Sequence, residues 1–225
     1  MSKQTYYNNS ARSSSSARST VRRHPERAVY DRREVWAILD RGLVAHVGVA
    51  LDQGPVVIPM IYARSDDTLY LHGAPVSRLL RALADGAATC VTVTLVDGLV
   101  LARSALRHSM NFRSVTAFGT ARPVVGAGEK ARALALVLEH IAEGRASEVR
   151  PPNQAELAAT AVISFTIAEA SAKVRYGPPM DKPGDLDLVV WAGELPLRVS
   201  AGPPVAAPDL GSELTIPPSI IGWTR

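Results

Sequence analysis

The chain reads as a mainly β protein with helical insertions: an antiparallel barrel of roughly six to eight strands, closed or nearly closed. Three observations predict this class. Successive β-branched runs are joined by short polar turns, which makes neighbouring strands hairpin partners. The strand–helix–strand alternation of a parallel sheet is absent. And 225 residues, 47% of them hydrophobic, suit one β-rich domain with extensions. Closure of such a sheet removes exposed strand edges.

The elements follow in order. Asp31 with Glu34 makes a capping-box-like start, Val35, Ile38 and Leu39 form an i, i+3, i+4 stripe, and Gly42 stands where a left-handed residue ends a helix, so a short helix is expected over 32–41. Strands follow at 43–51, 56–64 and 68–72, separated by Asp52-Gln53-Gly54-Pro55 and Ser65-Asp66-Asp67. Val76, Leu79, Leu80 and Leu83 mark a second helix that Gly86 ends. A strand over 88–96, with Thr92 and Thr94 on one face, turns at Asp97-Gly98 and returns over 99–104; another runs over 113–125. Leu134, Val137, Leu138 and Ile141 place the longest helix at 129–143, with Gly144 behind it. Strands are expected again at 161–167, 172–175 and, interrupted, 189–199, and coil from Ala201.

Charge divides the chain. Residues 1–27 carry six basic residues and one acidic one, which leaves 19 basic against 20 acidic residues in the remainder. The basic excess thus belongs to a Ser- and Arg-rich tail, expected to be disordered over 1–27, and not to a nucleic-acid-binding body. Two other readings of that tail are a transit peptide, which its lack of an apolar face opposes, and an arm that contacts nucleic acid. The barrel domain is expected over 28–200 and a Pro- and Gly-rich extension over 201–225. No apolar run reaches the roughly 18 residues of a membrane span, and the expected location is the cytoplasm. The single cysteine, Cys90, is expected as a small buried residue.

Two polar knots stand out. One is His108-Ser109-Met110-Asn111-Phe112-Arg113-Ser114-Val115, at the entrance of a buried strand. The other is Leu71-His72-Gly73-Ala74-Pro75-Val76-Ser77-Arg78, where a strand gives way to a helix. Ser77 at a helix N-cap and Arg78 in its first turn converge on one point, as a phosphate site requires, or they are a simple cap and a solvated side chain. His72 either meets a ligand ring, moves a proton or ligates iron, or is structural. Asn111, Arg113 and Ser114 either bind polar edges of a heterocycle or pair with each other across strands. The spacing of His24, His46, His72, His108 and His140 fits no zinc pattern, and the chain has no G-x-S-x-G elbow, P-loop, C-x-x-C or G-x-G-x-x-G. Any reactivity must come from a cofactor.

Taken as an ordered set, five segments resemble the pyridoxamine 5'-phosphate oxidase-like, FMN-binding split barrels, and within them the branch that includes nitroimidazole-resistance proteins. They are Arg23-His24-Pro25-Glu26-Arg27 with Tyr30-Asp31; Ile58-Pro59-Met60 with Tyr62; Leu69-Tyr70-Leu71-His72-Gly73 with Ser77-Arg78; the segment His108 to Val115 with Gly119; and Val190-Trp191-Ala192-Gly193. The likeness spans about residues 22–200. It implies a split barrel and a homodimer with the cofactor at the subunit interface. FMN is the implied cofactor, and FAD, deazaflavin F420 or heme occur in related barrels. The implied activity is hydride transfer between flavin N5 and a small planar, heteroaromatic or nitro-bearing substrate; the alternative is a flavin- or heme-binding carrier or sensor that does not turn over, with His72 or His108 as axial ligand. On this likeness Ser77 and Arg78 hold phosphate, Ile58, Pro59, Met60 and Ile61 lie along the flavin ring, and His72 stands beside it as the catalytic candidate. Asn111, Arg113 and Trp191 face the ligand. The basic and aromatic substrate motif of the true oxidases is matched only by Trp191 and Arg198, which does not imply a vitamin B6 substrate.

Overall fold

The computed structural model describes residues 16–211 and 213–224. Its strands are β1 (Ala28–Val29), β2 (Val44–Leu51), β3 (Gly54–Ser65), β4 (Thr68–Gly73), β5 (Thr89–Leu101), β6 (Ser109–Pro123), β7 (Ala161–Arg175) and β8 (Gly193–Pro196). The order β7-β4-β3-β2-β5-β6 closes on itself because β6 also pairs with β7, all antiparallel.

The long strands make the barrel split. Residues 89–92 of β5 pair with β2, but 98–101 pair with β8. Residues 161–166 of β7 pair with β4, but 172–173 pair with β1. One end is therefore a closed six-stranded barrel, and the other opens into a flap of β8, β5, β6, β7 and β1.

Side chains alternate along each strand, so every second residue enters the core. Val47, Tyr62, Leu69, Leu71, Val91, Val93, Val115, Ile163 and Phe165 fill the barrel. Helices α1 (Arg32–Arg41) and α2 (Arg78–Ala84) add Val35, Ile38 and Leu39, and Leu79, Leu80 and Leu83, to the same core. Helix α3 (Ala127–Ile141) lies outside, where Ala133 packs with Tyr70, Val124 and Val162. Short helices α4 (Arg145–Glu148), α5 (Gln154–Ala158) and α6 (Pro218–Ile221) complete the chain. None of the three spans enough turns to show a periodic stripe. Among the described residues no helix is long and apolar enough to cross a membrane.

Helix α1 starts where its cap predicts: the Asp31 carboxylate accepts from the Arg33 and Glu34 amides at 2.9 and 3.1 Å. At its other end the Tyr62 hydroxyl donates to the Leu39 carbonyl. Gly42 departs from expectation, since its φ of −74° is open to any residue. Its glycine serves close packing: a Cβ there would lie 2.3 Å from Val93 Cγ1.

Two expected breaks are bulges inside continuous strands. At Asp97-Gly98 there is no hairpin: Val96 pairs with Phe112 and Gly98 with Asn111, leaving Asp97 over. The Arg113 guanidinium holds that extra residue through two bonds to its carboxylate, at 2.9 and 2.6 Å. The chain turns after Leu101 instead, and β6 begins at Ser109, earlier than its apolar run suggests. The strands expected at 161–167 and 172–175 are likewise one strand, kinked where Phe118 pairs with Glu169 and Gly119 with Ile167.

Of the tail that composition assigns to disorder, residues 16–27 are described, and 16–19 are held on this second bulge; the rest lies outside the described residues. Glu169 accepts from the Ser16 amide, the Ser19 hydroxyl and the Arg18 guanidinium at 3.1, 3.0 and 2.7 Å, and Arg18 lies 4.8 Å over the Phe118 ring. Hydrogen bonds from Ser16, then Arg18, hold the Glu169 carboxyl at about 2, well under its ordinary 4.5. A depressed carboxylate stabilises the folded arrangement above its ordinary pKa and loses that contribution as pH falls toward the depressed value. Protection of the amides at residues 16–20, taken as exchange relative to the intrinsic rate at each pH, is therefore expected to be high at pH 6 and to fall between pH 4.5 and 2; an unchanged protection pattern would show that Glu169 does not hold the segment.

Candidate functional site

The outward faces of β2, β3 up to Ile61, and β5 form an open sheet surface; beyond Ile61, α3 packs on β3 and Ala63 is buried. Two rows cross it in register. Pro59, His46, Thr92 and Thr116 make the first, and Val57, Gly48, Cys90 and Phe118 the second. Val44 pairs with Ile61 beside them, and one step past the Tyr62–Leu71 pair the register brings His72 alongside Ile61. Val44, Val57 and Ile61 are all exposed apolar residues. Thr94 and Ser114 continue the polar side with a hydroxyl–hydroxyl bond of 2.9 Å. Cys90 belongs to this face and not to the core, and its thiol is pushed up by burial, which keeps it protonated.

His72 stands at the edge of the surface. Across β7 it pairs with Val162, which lies buried by α3, so the ring is half-buried. Its Nδ1 is buried and makes no hydrogen bond. Burial lowers the ring's pKa below the ordinary 6.5, so the imidazole is neutral at neutral pH. A neutral ring with a free nitrogen is the form that accepts a proton or ligates a metal, not the form that donates from a cation. Of the other histidines, His46 lies exposed on the same face, His108 Nδ1 meets the Ser104 carbonyl at 3.1 Å, and His140 Nε2 meets the Gly42 carbonyl at 2.6 Å.

The residues expected to hold a ligand separate into groups. In the segment Ile58 to Ile61, alternation sends Pro59 and Ile61 outward beside His72 and His46, while Met60 packs against the core and Ile58 lies on the inward side with its chain partly exposed. Ser77 caps α2, its hydroxyl accepting from the Leu80 amide at 3.4 Å, and Arg78 is exposed in the first turn. Ser77 and Arg78 line neither of two hollows, of about 730 and 650 Å³, that lie beside α3, α4 and α6 and along the C-terminal segment. Trp191 is exposed on an irregular stretch before β8.

Asn111 and Arg113 have partners within the chain. Arg113 is occupied by Asp97. Asn111 is buried, donates to Glu194 at 2.6 Å and accepts from Arg175, whose guanidinium also donates to the Gly177 and Pro178 carbonyls at 2.9 and 3.0 Å. The polar knot at 108–115 is thus a lock between β6, the end of β7 and β8. Sequence reasoning missed its partners Asp97, Arg175 and Glu194, and missed His46. The alternation that put Thr92 and Thr94 on one face, with the likeness that brought Pro59, Ile61 and His72 together, pointed toward that surface.

What the site residues can do is bind one face of a flat ligand: apolar contact from Val57, Pro59 and Ile61, hydroxyls from Thr92, Thr94 and Ser114, and a free ring nitrogen from His72. The comparisons with known proteins agree with this geometry. The sequence matches the family model described as pyridoxamine 5'-phosphate oxidase over residues 31–174. It is similar to the solved structure of the flavocytochrome Anf3 from Azotobacter vinelandii, with 40% identity over 93% of this chain and 97% of that one and a TM-score of 0.86. The FAD and heme binding protein from Mycobacterium smegmatis is 36% identical over 88% of this chain and 97% of its own, with a TM-score of 0.83. A protein described as a 5-nitroimidazole antibiotic resistance protein from Bacteroides thetaiotaomicron shares the fold at 23% identity, covering 65% of this chain and 86% of its own, with a TM-score of 0.56. No curated protein matches the chain.

Proposed function

The chain belongs to the pyridoxamine 5'-phosphate oxidase family, and on that premise we propose that it is a cytoplasmic, homodimeric redox protein that binds a flavin nucleotide together with a heme on the uncovered face of the barrel. The observation that carries this reading is the His72 ring: a half-buried imidazole whose Nδ1 is shielded from water and paired with nothing, beside apolar Ile61. An orphaned buried polar atom costs free energy unless a ligand satisfies it. That the two relatives at 40% and 36% identity are a flavocytochrome and an FAD and heme binding protein favours heme beside flavin over FMN alone.

When bound, a flavin supplies hydride exchange at N5 with a small planar substrate, and a heme supplies one-electron transfer. The chain's own residues do the rest. His72 offers a neutral nitrogen to iron, which shifts its role from that of the catalytic candidate beside the flavin ring. Val57, Pro59 and Ile61 give apolar contact and exclude water from one side of a ring. Arg78, exposed at the start of α2, meets the nucleotide phosphate, and a second subunit encloses the open side.

His72→Ala is expected to retain flavin and lose the Soret band, while Arg78→Ala loses flavin and remains folded, because an exposed helix-start arginine contributes little to stability. Heme retained in full by His72→Ala refutes the ligand role. Because burial lowers the His72 pKa, any loss of heme on acidification is expected to have its midpoint below 6.5. A loss of heme centred on 6.5 would contradict the depressed pKa.

A further inference from the structure

From Tyr176 the chain runs outside the barrel as a long limb, touches β5 through β8, and comes back at α6. Its return is pinned. Ser219 donates through its amide and hydroxyl to Glu148, at 3.2 and 2.5 Å, and the Trp223 indole donates to the Ile141 carbonyl at 2.8 Å. Held in this way, α6 borders two hollows, one shared with α3 and α4 and one with residues 199–204 of the limb. Trp223 and Thr224 line both, so the two adjoin. Neither contains a residue of the uncovered face of β2, β3 and β5, and the flavin and heme reading uses neither.

The two hollows differ in chemistry. The first, of about 730 Å³, has Asp40, Glu139, Glu143 and Glu148 in its wall against one guanidinium, Arg64, which Asp40 already holds at 2.6 Å. Glu139 accepts from the Gly144 and Ala146 amides, and Glu148 from Ser219 and, at 3.1 Å, from Arg145, whereas Glu143 is exposed. Ile141 and Ala142, at the carbonyl end of α3, line the same space, so the negative pole of that helix adds to the field of the carboxylates. The second hollow, of about 650 Å³, is apolar, walled by Val199, Ala201, Pro204, Ile216, Ile220 and Ile221. Pro203-Pro204 on the limb and Pro217-Pro218 at the start of α6 fix their backbone φ, which stiffens both walls. Hydrocarbon that displaces water from such a space is favoured. Each volume lies within the roughly 300–1,000 Å³ of small-molecule sites.

We propose that the adjoining hollows bind one amphiphilic organic cation, with an ammonium head between the carboxylates and an aliphatic tail among the isoleucines. The Trp223 ring at the junction suits both halves, since an aromatic surface takes hydrocarbon and attracts a cation. An anionic amphiphile would place its head against the same carboxylates and be repelled.

Calorimetric titration of the purified full chain with decyltrimethylammonium, kept below its micelle concentration, tests the assignment. Saturable binding of one molecule per chain is expected. Decyl sulfate, which carries the same tail, and tetramethylammonium, which is the head alone, should each bind at least ~10-fold more weakly. Glu143→Lys should weaken the probe about 10-fold by reversing a charge in the first hollow, and Val199→Gln with Ile221→Gln by a similar factor in the second. All three positions are exposed, Val199 at 68% and Ile221 at 72%, so circular dichroism and the visible spectrum should not change. No saturable binding by the wild type, an affinity for the sulfate that equals or exceeds that for the ammonium, or indifference to either variant overturns the assignment.

Discussion

Gly119→Ala is expected to destabilise the protein by about 4 kcal/mol or more, or to prevent folding altogether. The added Cβ would stand 1.9 Å from the Thr166 carbonyl oxygen, 2.9 Å from its carbon and 3.1 Å from Ile167 Cα. All three are backbone atoms of the strand that Gly119 pairs with, at the bulge where β6 and β7 change register, so nothing can swing aside. Relief requires parting the two strands that close the barrel. The control is Gly48→Ala, where the nearest atoms are the Cys90 oxygen at 3.5 Å and Val57 Cγ2 at 3.6 Å, ordinary contact distances. That change should lie within about 1 kcal/mol of wild type, since alanine costs less chain entropy than glycine in a strand. Thermal melts of the two variants check the pair; for a chain of this size, 4 kcal/mol is a fall of roughly 8–16 °C. Equal melting temperatures would show that the bulge does not depend on glycine.

Arg175→Met is expected to cost about 3 kcal/mol or more. The substitution keeps much of the apolar stem and removes the guanidinium, which leaves Asn111 Oδ1 and the Gly177 and Pro178 carbonyls without their donor. A buried acceptor left dry costs roughly 1–3 kcal/mol, more than the net value of the bond it lost. Lysine should not rescue the site, because one ammonium cannot reproduce a planar fork aimed at three oxygens. Burial, with Arg27 nearby, lowers the pKa of this guanidinium, a cost that only its hydrogen bonds and the field of Glu194 offset. Chemical denaturation gives the stability loss, and proteolysis of the limb from Tyr176 onward should quicken in the same variant. A full-strength fold with a protected limb would mean that Arg175 is not the clasp.

Gly119 and Arg175 show why the fold was legible in the sequence and the site only partly so. Strand alternation, the Asp31 cap and the apolar stripes are local signals, and they placed α1, α3 and most strands within a few residues. The bulges at Asp97 and opposite Gly119 read as turns, because an extra residue in a strand and a break between strands both look like a lapse in alternation. What distinguishes them is a partner far along the chain: Arg113 for Asp97, and residues 16–19 around Glu169. The same distance hid the partners of the polar knot at 108–115, since Asn111 is 83 residues from Glu194 and 64 from Arg175. Polar residues crowded at a strand entrance signal unmet hydrogen bonds, and here the chain itself meets them for Asn111 and Arg113. On the uncovered face, His72 has a buried nitrogen that the chain does not meet, and that absence of a partner could be read only from coordinates.

The most direct test of the central claim is the visible absorption spectrum of the protein as purified. A flavin and heme protein shows the paired visible bands of an oxidised flavin beneath a Soret band, and the Soret band is missing from His72→Ala while the flavin bands stay. A colourless wild-type protein that also fails to take up added FAD and hemin would contradict the account.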